Sequence, residues 1–353
     1  MIQDPGCDAR PRLLSIATAV PPHVLDQDDI LRESRVLLQS RFAQFDRLAP
    51  AFRNAGIARR HSVVPIDWFR QPHGWVDRTA AFAEGAAALF RQAAGAALEQ
   101  AGLRADQVDV IVTVCSTGIV TPTLEAMVAR DMGFRPDVMR VPVFGLGCAG
   151  GVSGLSVAAE LAAARPRAVV LLVAVETCTL LFRLDRLAKA DIIATALFGD
   201  GAAAVVLRSG VASDGGRPRI GRGLQHMWPD TLGIMGWTVE ETGLGVIFDR
   251  SIPEFAEAEL RAALDNMAPD LDVDRYVCHP GGAKVITALE ATLDLAPGTL
   301  DVERRVLADH GNMSAPTVLF VLAAVLRTDP PPKLMAMALG PGFTLSVLPI
   351  AVA

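Results

Sequence analysis

The chain has 353 residues, of which 51% are hydrophobic and 20% are charged, and its formal net charge is −6. This composition supports a large buried core and argues against disorder. Because the chain has no excess of basic residues, a nucleic-acid partner is not expected. The length exceeds that of one ordinary core, so two domains or two fused halves are expected.

The five cysteines contain no Cys-x-x-Cys pair and no Cys/His cluster with the spacing of metal ligands. We therefore expect neither a structural metal site nor a disulfide framework. The first twelve residues, MIQDPGCDARPR, lack the apolar core of a secretion signal. Long apolar stretches are all broken by Gly, Pro or charged residues, so no membrane span is expected. Together these features predict a reduced, cytoplasmic compartment.

The first part of the chain is predicted to be mainly helical, and the part that follows shows a pattern of alternating strands and helices. Residues 26–100 show helical patterns that are interrupted by an irregular stretch at 64–74. Residues 108–114 form a continuous apolar run, which is typical of a strand buried on both faces, and the helical segment LEAMVARDM follows. The same alternation continues with a predicted helix at 148–164 and with predicted strands at 141–144, 168–175 and 201–209. This order predicts an α/β fold with a mainly parallel sheet that is covered on both faces.

The C-terminal part repeats this order of elements. Predicted helices lie in KVITALEATL and at 314–326, and predicted strands lie at 275–279 and 334–339. The segment 209–219, SGVASDGGRPR, is rich in Gly, Ser and Asp and is the predicted linker. We therefore divide the chain into two halves, 1–212 and 213–353.

The two halves also share a spacing of polar residues. His279 follows Cys115 by 164 positions, and Asn312 follows Cys148 by the same interval. We infer a duplicated α/β unit with a pseudo-twofold axis. The loops at the carboxyl ends of equivalent strands are then expected to meet near that axis, where such sheets bind ligands.

Cys148 is the candidate nucleophile. It lies in FGLGCAGG, between a predicted strand and a predicted helix, so its thiol is expected at a helix N-terminus. The helix dipole and the free N–H groups at that position favour a thiolate. The alternative is a small buried cysteine beside a tight turn.

His279 and Asn312 are the candidate partners of this thiol. His279, in CHPGG, directly follows a predicted buried strand and can pair with the thiol as an imidazolium or donate to a substrate carbonyl. Asn312, in HGNMSAP, precedes a predicted helix, and its amide can stabilise an oxyanion. The alternatives are a loop histidine that caps a backbone carbonyl and an ordinary N-cap asparagine.

These motifs resemble those of the type III polyketide synthases, the chalcone synthase superfamily within the thiolase fold. The resemblance extends from about Leu13 to the C-terminus and rests on GLGCAGG, ALFGDGAAAVV, YVCHPGG, GNMSAPTVLF and ALGPGF. It implies a thiolase-like fold of duplicated αβαβα halves and a homodimer. It implies neither a metal nor another cofactor, since an acyl-CoA starter and malonyl-CoA are the substrates. The site residues that it implies are the triad Cys148, His279 and Asn312, the gatekeeper Phe198, and the loop residues Gly340, Pro341 and Gly342.

The resemblance also assigns residues to the walls of the substrate pocket. Val246 stands where plant members carry a second gatekeeper phenylalanine, and Thr121 stands where they extend a methionine into the partner's cavity. The stretch STGIVTP is similar to bacterial members that form alkylpyrones or alkylresorcinols from fatty acyl starters. Cys178 and Leu181 fall at pocket-lining positions.

Two further groups of residues follow from the resemblance. Ser116, Glu176 and Ser314 match a hydroxyl–carboxylate–hydroxyl network that can activate a water; the alternative is a network that only satisfies a buried glutamate. The basic residues expected at the mouth of the CoA tunnel are Arg47, Arg53, Arg59 and Arg60, for which the alternative is a solvated basic face.

The sequence thus predicts an acyltransferase that condenses malonyl-CoA onto a medium- or long-chain acyl-CoA and cyclises the product to an alkylpyrone or an alkylresorcinol. One alternative is a type III synthase that uses malonyl-CoA alone or an aromatic starter, with a tetrahydroxynaphthalene-, phloroglucinol- or chalcone-type product. The others are a ketoacyl carrier-protein synthase III and a non-catalytic acyl-binding protein of the thiolase fold.

Overall fold

The structure is a computed structural model that describes residues 10–249, 252–269 and 272–352. Cys7 and most of the N-terminal stretch MIQDPGCDARPR, to which the expectation about a secretion signal applies, lie outside the described residues. The division into halves at 212/213 stays a prediction.

Strands of the described residues are, in chain order, β1 (Arg12–Ala19), β2 (His23–Asp26), β3 (Arg59–Ser62), β4 (Val110–Val114), β5 (Met139–Val143), β6 (Val170–Thr177), β7 (Asp200–Arg208), β8 (Arg219–Ile220), β9 (Leu224–Met227), β10 (Met235–Val239), β11 (Leu244–Phe248), β12 (Arg275–Cys278), β13 (Lys333–Gly340) and β14 (Thr344–Ala351). The α-helices are α1 (Gln27–Leu38), α2 (Phe45–Leu48), α3 (Pro50–Asn54), α4 (Trp75–Gln100), α5 (Leu124–Met132), α6 (Gly150–Ala164), α7 (Lys189–Leu197), α8 (Ile252–Met267), α9 (Ala283–Thr292), α10 (Asp301–His310) and α11 (Ala315–Leu326).

The order of strands in the central sheet shows the duplication. The order is β12-β13-β14-β8-β1-β7-β6-β4-β5, with β9 paired to β14. In the first half β4 is parallel to β6, and β6, β7 and β1 are antiparallel in turn. In the second half β12 is parallel to β13, and β13, β14 and β8 are antiparallel in turn. The predicted duplicated fold is therefore confirmed, and the halves join where β1 pairs with β8.

The predicted mainly parallel sheet is wrong. Parallel pairing is confined to β4–β5, β4–β6 and β12–β13 in the described sheet, and every other pair is antiparallel. A buried apolar run shows that both faces of a strand are covered, but it carries no information about direction. The chain that connects β6 to β7 contains the short α7, after which β7 returns beside β6 in the opposite direction.

Successive side chains of a strand point to opposite faces of the sheet, and both faces are buried. The helices and the two halves of the sheet therefore stack in five layers. Val110, Val112 and Val114 of β4 share one core with α6 and α11, which lie between the two halves. The opposite faces of β6 and β7 pack on α4, and the opposite faces of β13 and β14 pack on α8 and α9. The central helices approach closely, since a Cβ on Gly151 would lie 2.2 Å from the carbonyl oxygen of Ala315. The segments that carry Cys148 and Asn312 therefore lie at the starts of the two central helices.

Several strands were not among the predicted ones, namely β1 to β3, β8 to β11 and β14. The strand β3, with the sequence RRHS, is short and polar, and it pairs antiparallel with β2. Its residue Arg60 is nevertheless buried, with 2% of its surface exposed. A polar strand lacks the alternation of apolar and polar residues that predicts a strand. The sequence pattern of this region therefore predicts helices and an irregular segment instead.

One stretch of the described chain, Gly147–Ala164, is long and apolar enough to cross a membrane by length and composition. It contains α6, and 61% of it is buried inside the protein. A core helix of a folded protein meets the same criterion, so this stretch is weak evidence for a membrane span.

Candidate active site

Cys148 lies at the start of the first central helix. The short 3-10 turn Gly147–Ala149 leads directly into α6. Gly147 has a φ of +47°, and a Cβ there would lie 2.7 Å from the ring of Pro341. This contact packs the loop after β13 against the turn that carries the thiol. Cys148 and the other three cysteines of the described residues are free.

His279 directly follows β12 and faces the same cavity as Cys148. It is 6% exposed, and neither ring nitrogen has a hydrogen-bond partner. Buried polar atoms normally have partners, so two unpartnered nitrogens in a cavity wall indicate a place for a ligand atom. Ser314 Oγ, in the same wall, is also buried without a partner.

Asn312 occupies the turn between α10 and α11. Its Nδ2 donates to the carbonyl of Gly281 at 3.2 Å, and its Oδ1 accepts the N–H of Ser314 at 2.8 Å. Ser314 has a φ of +58°, a region that non-glycine residues rarely adopt and that often marks a functional site. The Cys148 Sγ lies 4.0 Å from Asn312 Oδ1. The structure thus brings the three predicted triad residues to one cavity.

The charge state of Cys148 and His279 differs from the expected thiolate–imidazolium pair. Burial raises the pKa of Cys148 to about 11, and the nearby polar side chains of Ser314 and Asn312 only partly oppose this effect. Burial lowers the pKa of His279 to about 4. Both side chains are therefore neutral near pH 7, because desolvation outweighs the helix dipole that led us to expect a thiolate.

The catalytic cavity has a volume of about 40 Å³ and is lined almost entirely by apolar groups beside the three triad residues. Phe198 and Val246 line this cavity and also line a second one, of about 70 Å³, so they form the wall between the two. The second cavity is bordered by Cys178 and by the apolar side chains Leu25, Ile30, Leu37, Ile66, Phe69, Leu181 and Phe182. Polar or charged residues complete its border, namely Glu33, Ser34, Arg60, Thr179, Asp191 and Thr195.

The hydroxyl that contacts Glu176 is not the predicted one. Thr117 Oγ1 donates to the Glu176 carboxylate at 2.6 Å, whereas Ser116 contacts it only through its backbone N–H. The Ser116 hydroxyl instead accepts the N–H of Gly147 at 3.1 Å. The side chains of successive residues point in different directions, so Thr117, which the sequence reading passed over, takes the expected place of Ser116. Burial raises the pKa of Glu176 to about 7.

The predicted basic cluster does not lie at one mouth. Arg60 is buried and donates to carbonyl groups, so it cannot contact CoA, and that assignment is wrong. Arg59 pairs with Asp309 at 2.9 Å on the surface. Arg53 lines a separate shallow cleft beside acidic residues of α1. Of the four arginines, only Arg47 borders the cleft that leads to the catalytic cavity.

That cleft has a volume of about 610 Å³ and shares four lining residues with the catalytic cavity, namely Phe248, Ile252, Gly281 and Val285. Two lysines missed by sequence reading also line it, Lys189 at the first position of α7 and Lys284 at the second position of α9. A lysine in the first turn of a helix opposes the helix dipole. This unfavourable placement was the signal that could have indicated an anion-binding role.

The remaining predicted pocket residues lie at different depths. Pro341 lines the catalytic cavity, and Gly340 lies beneath it, where a Cβ would come within 2.7 Å of the backbone nitrogen of Ala149. Gly342 borders neither of the two cavities and faces Met227 at the surface. Thr121 is exposed on the loop after β4 and also borders neither cavity in this single chain.

Comparison with known proteins agrees with this geometry. The chain matches the N-terminal domain of chalcone and stilbene synthases over residues 75–211 and their C-terminal domain over 219–351. It is 37% identical over 340 residues to 1,3,6,8-tetrahydroxynaphthalene synthase from Streptomyces peucetius subsp. caesius, which covers 93% of this chain and 90% of that protein.

Solved structures show the same architecture. The 1,3,6,8-tetrahydroxynaphthalene synthase of Streptomyces coelicolor A3(2), a bacterial type III polyketide synthase, superposes with a TM-score of 0.90 at 28% identity, covering 97% of this chain and 99% of that one. CsyB, solved in complex with CoA-SH, superposes with a TM-score of 0.89 at 25% identity and covers 97% of this chain and 100% of its own. The predicted thiolase-like fold is thereby confirmed, and the two alternatives outside the family no longer apply. The chain belongs to the chalcone and stilbene synthase family, the type III polyketide synthases.

Proposed function

We propose that this synthase loads an aliphatic acyl group from coenzyme A onto Cys148 and extends it with malonyl-CoA, using His279 and Asn312 as hydrogen-bond donors. One observation carries the proposal. A thiol, an imidazole with both nitrogens unpartnered and a fixed amide line one apolar cavity, and a second apolar cavity lies directly behind it.

In the loading step, Cys148 Sγ attacks the carbonyl carbon of the starter thioester. The thiol proton passes to the neutral imidazole of His279, which is the protonation state favoured by burial. The carbonyl oxygen gains negative charge and is stabilised by donors in the cavity wall. The C–S bond to CoA then breaks, and the imidazolium returns its proton to the departing CoA thiolate. The products are an acyl-Cys148 thioester and free CoA.

In the extension step, malonyl-CoA loses carbon dioxide, and the electron pair of the broken C–C bond forms the enolate of acetyl-CoA. This enolate needs hydrogen-bond donors rather than a general base, because decarboxylation itself generates the carbanion. The enolate carbon attacks the acyl-Cys148 carbonyl and releases the thiolate. The chain, now two carbons longer and bound to CoA, can return to Cys148.

The cleft beside the cavity supports CoA thioesters as substrates. Arg47, Lys189 and Lys284 are exposed in it, and none of them has an ion-pair partner in the described ranges. Cationic side chains without partners suit the phosphate groups of CoA. No resident cofactor or metal is part of the proposal, and a reduced, cytoplasmic compartment is proposed because Cys148 must stay a free thiol.

The second cavity favours a medium- or long-chain aliphatic starter. Its lining is mostly apolar, with polar or charged residues at part of the border, and the wall that separates it from Cys148 contains the small Val246 beside Phe198. Each methylene group buried there contributes up to about 0.8 kcal/mol, so eight more methylenes can contribute several kcal/mol even after chain ordering. A poly-β-ketone chain would instead place many of its carbonyl groups against apolar side chains.

A second candidate is synthesis from malonyl-CoA alone with an aromatic product. The observation that favours it is the 37% identity to 1,3,6,8-tetrahydroxynaphthalene synthase of Streptomyces peucetius subsp. caesius. Identity over the whole chain reflects the shared fold and chemistry, whereas the starter is set by a few side chains around the cavities. The mostly apolar lining of the second cavity is the observation that favours the aliphatic starter.

The test is kcat/KM across acetyl, hexanoyl, decanoyl, palmitoyl and coumaroyl starters, each with malonyl-CoA, with the products identified by mass spectrometry. We expect the decanoyl or palmitoyl starter to be the best substrate. Val246→Phe is expected to lower kcat/KM for these two starters at least about tenfold relative to acetyl, because the phenyl ring closes the wall in front of the second cavity and 2 kcal/mol or more of alkyl burial is lost, roughly.

Lys284→Ala is the matched control for this panel. It removes a charge from the CoA cleft and not from the acyl cavities, so KM is expected to rise by a similar factor for every starter while kcat changes little. The aliphatic-starter proposal fails if coumaroyl-CoA or malonyl-CoA alone is the best starter. It also fails if Val246→Phe changes all starters equally.

The proposed product is an alkylpyrone or an alkylresorcinol. Glu176 and Thr117 form a buried hydrogen-bonded pair whose carboxyl group influences the pKa of Cys148. Since the pKa of Glu176 is raised to about 7, this carboxyl group can exchange a proton near neutral pH. Such a group suits the activation of a water or a hydroxyl during ring closure, and the starter panel reports the ring that forms.

We also propose a homodimer that forms across β5. This strand ends the sheet, so its outer hydrogen-bonding groups are unpaired. Large apolar side chains are exposed around it: Ile119, Met127, Met139 and Phe144. Pairing with a second copy would cover these side chains and place Thr121 near the partner chain. Phe144→Asp is expected to shift the sedimentation coefficient from dimer to monomer, and a monomeric wild-type protein would contradict the proposal.

A further inference from the structure

Arg60 is among the largest side chains that are fully buried in the protein. Its Nη1 donates to the carbonyls of Thr195 at 2.7 Å and Phe198 at 2.9 Å, and its Nη2 donates to the carbonyl of Ala196 at 2.8 Å. Nη2 also contacts the Oε1 of Gln27. A guanidinium placed in this way contributes nothing to the CoA cleft, so its charge must serve another purpose.

The three carbonyl groups lie at the C-terminal end of α7. The last carbonyls of a helix lack partners inside the helix and carry the negative end of its dipole, so a buried cation stabilises them. Gln27 completes the arrangement, because its Nε2 donates to Ala196 at 3.0 Å and to Phe52 at 2.8 Å. Arg60 and Gln27 therefore fix the position at which α7 ends and Phe198 begins.

The same backbone segment holds Asn312. The N–H of Asn312 donates to the carbonyl of Leu197 at 2.8 Å, and the N–H of Gly199 donates to the carbonyl of Asn312 at 3.0 Å. Phe198 and Asn312 thus form a parallel bridge. Arg60 packs directly beside this bridge, since a Cβ built on Gly199 would lie 3.2 Å from the Arg60 Cβ.

We propose that Arg60 is a positioning residue that holds Phe198, in the wall between the two cavities, in register with Asn312, the amide donor beside Cys148. The inference rests on the proposed role of Asn312. One guanidinium then sets two properties together, the position of the amide that stabilises the enolate and the width of the passage to the second cavity.

The chemistry of the site requires an arginine and not a lysine. A planar guanidinium presents several donors in a rigid fork and can contact three carbonyl groups and the Gln27 amide simultaneously. A lysine has three donors on one atom and cannot span the same set of acceptors. Burial lowers the pKa of Arg60 to about 9, with the nearby Asp200 opposing this effect, so the side chain stays charged at neutral pH.

The test uses Arg60→Met and Arg60→Lys in the full-length Cys148→Gln variant, in which malonyl-CoA decarboxylation is measured without condensation. Arg60→Met is expected to lower kcat on the order of 100-fold, because a displacement of about 1 Å at the amide is enough for such a loss. KM for malonyl-CoA is expected to stay near the parent value, since the CoA cleft is untouched. Arg60→Lys is expected to recover part of kcat. In the wild-type background, Arg60→Met is expected to broaden the range of starter chain lengths.

Arg208→Met is the control for loss of a partly buried guanidinium. Arg208 pairs with Asp214 and lies at the end of β7 opposite to Asp200. Arg208 follows Asp200 by eight positions, which correspond to roughly 26 Å along the strand. It is expected to lower the melting temperature without a change in kcat or in starter preference. Gln27→Met removes the second support of the same carbonyls and replaces Arg60→Met if that variant does not fold.

The inference is overturned if Arg60→Met, or Gln27→Met in its place, lowers kcat no more than Arg208→Met does at equal folded fraction. A rise in KM with unchanged kcat overturns it as well and restores a role in CoA binding. If Cys148→Gln alone fails to decarboxylate malonyl-CoA, the proposed function fails instead. In that case, the range of starter chain lengths used by the Arg60 variants in the wild-type background tests the role of Arg60.

Discussion

Cys148→Gln is expected to abolish polyketide formation while malonyl-CoA decarboxylation survives. The amide of the new side chain cannot attack a thioester, so no acyl-enzyme forms and the condensation loses its electrophile. Its carbonyl, however, resembles the acylated state and leaves His279 and Asn312 available to stabilise the enolate. The loss of product is expected to exceed about 10⁴-fold, and the decarboxylation rate is read from acetyl-CoA release.

Three further variants sharpen this result. Cys148→Ala is expected to show no adduct by mass spectrometry after mixing with an acyl-CoA, because the nucleophile is gone. Cys278→Ala removes another thiol, which is buried in β12 outside both cavities, and is expected to keep the adduct on Cys148. His279→Ala is expected to slow the loading step but to leave the thiol reactive toward a small alkylating agent. Product formed by Cys148→Ala at the normal rate would show that the nucleophile has been misassigned.

Asn312→Ala in the Cys148→Gln background is expected to lower the rate of malonyl-CoA decarboxylation about 10²- to 10³-fold, roughly 3–4 kcal/mol. The amide is held at both ends by Gly281 and Ser314, so it is oriented before the substrate arrives. A donor that needs no reorganisation during the reaction is worth most in an apolar cavity such as this one. The measurement is kcat for acetyl-CoA release from malonyl-CoA.

Asn312→Asp tests the loss of the amide donor separately from a change in the shape of the loop. It keeps the acceptor for the N–H of Ser314, a residue with a φ of +58°, but it places a carboxylate where the enolate forms. We therefore expect a larger loss of decarboxylation than in Asn312→Ala with a smaller loss of stability. If Asn312→Asp decarboxylates malonyl-CoA as fast as its parent, then Asn312 is not the enolate donor.

The neutral state of Cys148 and His279 has a consequence for both experiments. Burial keeps Cys148 protonated and His279 unprotonated near pH 7, so charge separation begins only when the thioester is bound. Charge therefore appears in the cavity only during the reaction, and groups that already have fixed positions stabilise it. Alkylation of Cys148 in the free enzyme is accordingly expected to be slower than for an exposed cysteine at neutral pH.

The sequence by itself determined the class of the fold, the duplication and the three residues that meet at its axis. These conclusions depend on features of short segments, such as the buried run 168–175 and the glycines around Cys148, and on the common 164-residue interval to His279 and Asn312. A strand that is buried on both faces must be apolar along its length, and a residue directly after it must lie at the sheet edge. Such constraints act within short segments and are therefore legible in one sequence.

The tertiary structure alone decided which side chains touch. Four basic residues that are near in sequence separate into a cleft residue, Arg47, two surface residues and one buried residue, Arg60. Likewise, Thr117 and not Ser116 directs its hydroxyl to Glu176, and Lys284 enters the CoA cleft from a helix far along the chain. The direction of β7 beside β6 also had no local signal. In each case the outcome depends on which distant carbonyl, carboxylate or strand edge is near, and that is set by the packing of the whole chain rather than by the pattern of any one segment.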